Sequence, residues 1–344
     1  MTALRGWVGA GLGLLGLLGL VTLAGAQGVA ASVANPAPGL SLAAFTPWVS
    51  RVQQAAATSN YQGMLMYSAG GVVSNLRVLQ ICDGRQRYER IELLDGPARL
   101  QFRHNDRTLT VWPATRTARA EQRDPVAEFP ALPAVASQRW LDSYEPQALS
   151  RERIAGHDAD VLMLKPRDRL RYAQRLWADH ETGLLLRNDV IGPGGEVLET
   201  SAFTDVQIGA KVSPEAVLGP MKQLSGYRVQ RWHAERAQVE AEGWALARPV
   251  PGFQLVSCTK RPLDPATDAG ATAPVLQSVF SDGLAHVSVF IEPFDAQRHG
   301  KAMGTSLGAT HTLTSRQGDW WFTVVGEVPM ATAQQFGAMF ERKR

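Results

Sequence analysis

Between Arg169 and Phe203 the chain runs RLRYAQRLWADHETGLLLRNDVIGPGGEVLETSAF, which reads as three β-strands in immediate succession joined by two short turns. In the first strand Leu170, Tyr172 and Leu176 fall on one face, and Arg169, Arg171, Arg175 and Trp177 on the other, the period-two signature of a strand. Asp179 to Gly183 makes the first turn, Leu184 to Ile191 the second strand, Gly192 to Gly195 the next turn and Val197 to Phe203 the third strand. An antiparallel meander follows. Its face bearing Trp177 and the arginines is neither plainly core nor plainly solvent, which suits a cavity with an apolar floor and a basic mouth.

Upstream, strands come in quick succession: Tyr61–Tyr67, Val72–Cys82, Gln86–Leu94, Ala98–His104 and Thr108–Trp112, punctuated by Gly70-Gly71, Asp83-Gly84, Asp95-Gly96 and Asn105-Asp106. A helix is expected to open at Thr46-Pro47 and to bury Trp48, Val49, Val52 and Ala56. The Pro-containing segment Pro113–Pro133 reads as an irregular, mobile loop, and a short helix is expected around Val135–Tyr144. With strands at Leu149–Ile154 and Asp160–Leu164 added, the pattern lacks the alternation of strand and helix that a doubly wound sheet requires. The fold class expected is α+β, mainly antiparallel β: an unclosed half-barrel with covering helices, followed by a smaller α+β domain.

Ser213–Pro220 reads as a helical turn closing the first domain, and the second begins near Gly226. There, Leu276–Phe280 and His286–Ile291 form one hairpin, and His311–Ser315 and Trp320–Val325 another, with a closing helix at Ala331–Glu341. The domain limits expected are a signal peptide at 1–26, a first domain at 40–220 and a second at 226–344.

The amino terminus sets the compartment. Arg5 precedes an uncharged run from Gly6 to Ala26 that ends on Ala24-Gly25-Ala26, an A-x-A cleavage pattern, so the mature protein is expected to be exported. The formal charge of the whole chain, +3, is too small for a general nucleic-acid binder. Arginines far outnumber lysines, and their planar fork suits carboxylate and phosphate. Two cysteines, Cys82 and Cys258, lie far apart in sequence.

Catalytic constellations are missing from the sequence. The seven histidines are scattered, without the spacing of a metal site. No P-loop or dinucleotide fingerprint occurs. Gly304-Thr-Ser306-Leu-Gly308 fits the G-x-S-x-G nucleophile elbow in letters alone, because Ala309–Thr314 alternates as an antiparallel strand would. A binding protein without catalytic residues, metal or cofactor is therefore expected. Met64, Met66, Tyr67, Phe102, Trp112, Trp177 and Phe203 are the candidates for an inward-facing lipid cavity, methionine being well suited to irregular acyl chains. Arg85 with Arg87, and Arg169 with Arg171, stand two apart on their strands and are expected to form a basic rim that meets phosphate.

Particular runs resemble a known family. Arg171–Asp179, the turn Thr182-Gly183-Leu184 and Gly195–Glu199 are similar to the first domain of the RseB/MucB family, and Leu176-Trp177-Ala178-Asp179 followed by Thr-Gly-Leu is also similar to the lipoprotein carriers LolA and LolB. Pro251-Gly-Phe253-x-Leu255, Phe280–Pro293 and Val324–Pro329 resemble the carboxy-terminal domain that the carriers lack. The resemblance implies a LolA-like half-barrel and a periplasmic negative regulator of an envelope-stress sigma factor. Such a protein binds the periplasmic domain of a membrane anti-sigma factor of the RseA/MucA kind, shields it from regulated proteolysis, and releases it on meeting lipopolysaccharide or lipoprotein acyl chains. An alternative is a periplasmic carrier of lipoprotein or lipid. On the resemblance alone, the hairpin Phe280–Glu292 is the expected partner site, with His286, Ser288 and Phe290 beside an edge open to strand addition. Self-association into a homo-oligomer is left open.

Overall fold

The computed structural model describes residues 41–84, 86–122, 129–132, 137–232, 234–261 and 274–343. The expected signal segment 1–26, Arg85 and all of the expected Pro262–Pro274 loop but its last residue lie outside the described residues.

One long helix, α1 (Leu42–Thr58), precedes a sheet built from β1 (Tyr61–Ala69), β2 (Val72–Asp83), β3 (Gln86–Leu93), β4 (Arg99–His104), β5 (Arg107–Trp112), β6 (Thr117–Gln122), β7 (Tyr144–Ala148), β8 (Glu152–Ile154), β9 (His157–Pro166), β10 (Ala173–Asp179), β11 (Leu185–Ile191), β12 (Val197–Ile208) and β13 (Arg228–Trp232). The strands lie in the order β13-β6-β5-β4-β3-β2-β1-β12-β11-β10-β9-β7, with β8 paired to β9, and the path does not close. Every pairing is antiparallel except β13 on β6.

Several expectations about element limits need correction. The helix begins at Leu42 and holds Pro47 inside it; extending it four residues upstream of Thr46 places Phe45 in the core, fully buried. The segment Pro113–Pro133, expected as a loop, contains β6. The strand expected from Arg169 starts only at Ala173, after a bend at Arg167–Arg171.

Helices cover both faces of this sheet. On the inner face α1 and α2 (Ser137–Ser143) pack Phe45, Val49, Val52 and Trp140 on Leu162, Leu164, Leu176 and Ala178 of β9 and β10. Gln80 ties β2 to the end of α1 by donating to the Ala56 carbonyl at 3.0 Å, and accepts from the Tyr61 hydroxyl at 3.2 Å. On the outer face α3 (Pro214–Leu218) lays Val217 over Ile81, Phe102, Leu109 and Val111. Beside the point where β12 bulges at Thr204, opposite Met64 and Leu65, Gly63 lies against β12: a Cβ there would stand 2.2 Å from the Asp205 carbonyl oxygen. Gly63→Ala is expected to destabilise the protein by about 1–3 kcal/mol, since backbone would have to shift, and a urea midpoint checks it.

The second sheet runs β14 (Glu235–Arg236), β16 (Gln254–Arg261), β17 (Val275–Ser281), β18 (His286–Pro293), β21 (Trp320–Gly326), β20 (Thr310–Gln317) and β19 (Met303–Leu307), again antiparallel throughout. β15 (Trp244–Leu246) pairs separately with β22 (Phe340–Arg342). Helix α4 (Met330–Ala338) seals one face with Ala333 and Phe336 against Phe280, Val287, Val289 and Phe322. The serine of the G-x-S-x-G run sits on β19, in a hairpin with β20, so no strand-to-helix elbow exists there.

Candidate ligand cavity and domain interface

A cavity of about 530 Å³ opens on the inner face of the first sheet. Its lining spans nine neighbouring strands, from Arg119 on β6 to Gln174 on β10. Laid flat, those strands would cover about 38 Å at about 4.8 Å each, so side chains at both ends share one cavity only because the sheet curls. Alternation selects the lining: Glu89, Ile91 and Leu93 point inward from β3, and Arg99, Gln101 and Arg103 from β4. The floor is apolar, with Leu65, Leu76, Val78, Leu185 and Val190, while Phe129 and Leu132 come across from the segment at 129–132.

One end is basic. Arg99, Arg103 and Arg119 line it, opposed by Glu89 and Glu121, which leaves it net positive. Arg103 pairs with Glu89 at 2.8 Å, both side chains buried, and Arg119 reaches Glu121 at 3.5 Å while its guanidinium lies 5.4 Å over the Trp112 ring. Burial, followed by the Arg119 charge, lowers the Arg99 pKa from its ordinary value. An anionic ligand group would relieve that like-charge crowding.

The other end is acidic and belongs to both domains. Glu199 of β12, Tyr67 of β1, and His286 and Glu327 of the second domain line it. Glu199 is only 7% exposed. Burial, then the charge of Glu327, pushes its pKa up to about 8, although the Tyr67 hydroxyl and the Ala309 N–H donate to it. Burial and the Glu199 charge push the Tyr67 phenol well above its usual value. Glu199 Oε2 has no hydrogen-bond partner.

The turn between β17 and β18 docks the domains. Asp282, fully buried, accepts from Arg171 Nη1 at 2.6 Å and from the Tyr144 hydroxyl at 2.9 Å, and its other oxygen accepts the N–H groups of Leu284 and Ala285. Arg171 also donates to Asp168 and to the Pro251 carbonyl. Burial works against its charge, but Asp168 and Asp282 outweigh that and raise its pKa. Gly252, at φ +80°, lets the guanidinium through: a Cβ there would lie 2.7 Å from Arg171 Nη2. Leu284, two residues after Asp282, packs into the cluster around Phe45 and Trp140 and also lines the cavity. A second contact sets Ala309 among Tyr172, Val190 and Leu198.

The residues expected at the site therefore separate. Tyr67 and Trp112 line the cavity. Phe203 lies in the core beside it, edge-on to Tyr61 and tilted against Phe129, each at 5.7 Å. Met64, Met66, Phe102 and Trp177 do not line it. Met66 alternates with Leu65 and Tyr67, and Met64 lines a hollow of about 320 Å³ on the outer face with Arg77 and Arg90. Phe102 pairs with Arg90 and lies under α3. Trp177 pairs with Val161 and Arg187, donates from its indole to Glu152 at 2.9 Å, and carries the Arg187 guanidinium 4.7 Å over its ring.

The basic rim is also corrected. Arg169 is exposed in the bend and shares no strand with Arg171, which is buried in the domain interface. Arg87 pairs with Cys82 on β2, is absent from the cavity lining, and its intended partner Arg85 falls outside the described residues. The arginines that do converge, Arg99 and Arg103, obey the same even spacing on β4 and were open to the same reasoning. The expected partner edge does not exist. β18 carries His286, Ser288 and Phe290, but it lies between β17 and β21, and β17 is covered by β16. His286 instead meets the cavity, and Phe290 stacks under Arg261 at 5.2 Å. Cys82 and Cys258 are both free.

Comparison with known proteins places both halves of the chain. Residues 45–221 match the family model of the MucB/RseB N-terminal domain, and residues 238–341 that of the MucB/RseB C-terminal domain. The chain is 30% identical over 312 residues to the sigma factor AlgU regulatory protein MucB of Pseudomonas aeruginosa, covering 87% of this chain and 91% of that protein. It is 26% identical over 259 residues to the sigma-E factor regulatory protein RseB of Salmonella typhimurium, covering 74% and 76%. Among solved structures, MucB in complex with MucA(peri) matches with a TM-score of 0.65 and 26% identity, over 87% of this chain and 99% of that one.

Proposed function

The chain belongs to the MucB/RseB family, and from that premise we propose that it is a periplasmic regulator of a sigma factor, acting by binding the periplasmic region of a membrane anti-sigma factor. In this reading it shields that region from regulated proteolysis and releases it when lipopolysaccharide or a lipoprotein acyl chain enters the cavity. Two resemblances support the partner: to regulatory proteins named for sigma factors, and to a MucB structure that holds MucA(peri). Among the described residues no helix is long and apolar enough to cross a membrane.

The observation that carries the release step is that both domains line one cavity, Leu284, His286 and Glu327 coming from the second. A ligand there touches both domains, so it has the differential affinity for domain arrangements that any release by competition needs. Moving a partner from 99% bound to 99% free requires about 5.5 kcal/mol. At about 0.8 kcal/mol for each buried methylene, an acyl chain of about twelve carbons supplies of the order of 10 kcal/mol before ordering costs. The volume of about 530 Å³ lies within the usual range of ligand pockets. This sharing of the cavity favours a regulator over a simple lipid carrier, which has no need of a second domain at its mouth.

The test is calorimetric titration of the mature protein with an anti-sigma periplasmic fragment, with and without lipopolysaccharide. Lipopolysaccharide is expected to weaken fragment binding. Arg99→Glu should weaken lipopolysaccharide binding about tenfold at low salt and less at high salt, since exposed charge is screened, and leave fragment binding unaltered. Simultaneous binding of both, with neither affinity changed, would refute release by competition.

A further inference from the structure

Glu199 and Glu327 bring two carboxyl groups from two domains to one end of one cavity. Glu199 is nine-tenths buried and one of its oxygens has no hydrogen-bond partner. The surrounding titratable groups are Tyr67 on β1, which donates to Glu199, and His286 on β18. Asp189, on the neighbouring β11, is held by Arg187 at 2.7 Å, and His311 stacks on Tyr172 with ring centroids 6.4 Å apart. The arginines of the cavity lie at its other end, on β4 and β6.

We propose that Glu199 and Glu327 form a proton-controlled clasp, holding the second domain against the cavity mouth while Glu199 keeps its proton and letting it swing away, about the Arg171–Asp282 contact, when Glu199 ionises beside Glu327. Two like charges at one end of a poorly solvated site repel, whereas a neutral carboxyl beside a carboxylate does not. No equivalent strain acts at the Arg171–Asp282 contact, where opposite charges meet, so the response is rotation about that contact and not dissociation.

The direction of the pH dependence follows from the raised pKa. The folded, closed chain holds the Glu199 proton at pH values where an unfolded or opened chain has released it, so protonation favours closure. That contribution is complete below about pH 4.5, the ordinary carboxyl value, and is lost as pH rises through about 8. The clasp does not depend on which ligand enters the cavity.

Small-angle scattering of the full chain between pH 5 and pH 10, at low salt, reads the effect directly. The radius of gyration is expected to rise with a midpoint near pH 8. Glu327→Gln, which removes both the charge that helps keep Glu199 protonated and the repulsion that drives opening, should shrink the rise and move what remains of it to lower pH, and Glu199→Gln, which mimics the protonated form, should abolish the rise. Melting curves at pH 5 establish that each variant is folded, and a Glu199→Gln variant that melts early is replaced by Glu327→Gln alone. A radius unchanged up to pH 10 in the wild type overturns the clasp, and so does an opening that both glutamine variants retain.

Discussion

Asp282→Ala is expected to destabilise the protein by about 3–5 kcal/mol, because it leaves the Arg171 guanidinium, itself 3% exposed, without the carboxylate that compensates its burial. Tyr144 loses its acceptor at the same time. Asp168 remains beside Arg171 at 3.0 Å but is more exposed and lies on the same loop, so it holds the charge without holding the second domain. The double change Arg171→Met with Asp282→Leu should recover most of the stability, since apolar replacement of a buried ion pair is often neutral, yet it should loosen the relative placement of the domains. Urea unfolding measures the first effect and scattering the second. A loss below about 1 kcal/mol for Asp282→Ala would show that the anchor lies elsewhere.

The two tryptophans first grouped together are expected to behave oppositely. Trp177 is 2% exposed, hydrogen-bonded to Glu152 and covered by Arg187. Its truncation to alanine should lower stability by about 3–5 kcal/mol while leaving the ligand response of the remaining folded protein intact. Trp112 is half-buried at the basic end of the cavity. Its truncation should cost little stability but weaken lipid binding by roughly tenfold or more, through lost apolar area. Melting temperature and lipid titration on both variants separate the two. Equal melting temperatures would refute the placement of Trp177, and unchanged lipid binding by Trp112→Ala that of the cavity.

What could be read from residues alone follows from how local each feature is. Turns such as Asp83-Gly84 and Asn105-Asp106 mark β2 to β5 because hairpin chemistry is local. Alternation says which residues share a face but not which face is concave, and here helices cover both, α1 and α2 inside and α3 outside. Large aromatics such as Phe102 and Trp177 therefore gave no clue to their side. β6 was missed because its buried face is made of Ala118 and Ala120, too small to stand out as a strand pattern. The order of strands in the second sheet is set by distant segments, β16 and β21, so the hairpin of β17 and β18 looked like an edge when only its own residues were read. The fold class and family were legible; the pairing of Arg171 with Asp282, 111 residues away, was not.

The strand β13 has a practical meaning for anyone wishing to cut the chain. It lies beyond residue 221, where the match to the first family domain stops, yet its backbone from Arg228 to Trp232 is laid parallel along β6, the strand bearing Arg119. A fragment that ends at the family limit strips this cover from β6 and leaves a row of bare amide and carbonyl groups, the kind of rim that recruits other chains into sheets. Loss of solubility or of partner binding in such a fragment would then report a damaged first domain and not the missing second one. A fragment meant to keep this sheet intact therefore extends at least through Trp232, because the segment joining the domains pairs along β6.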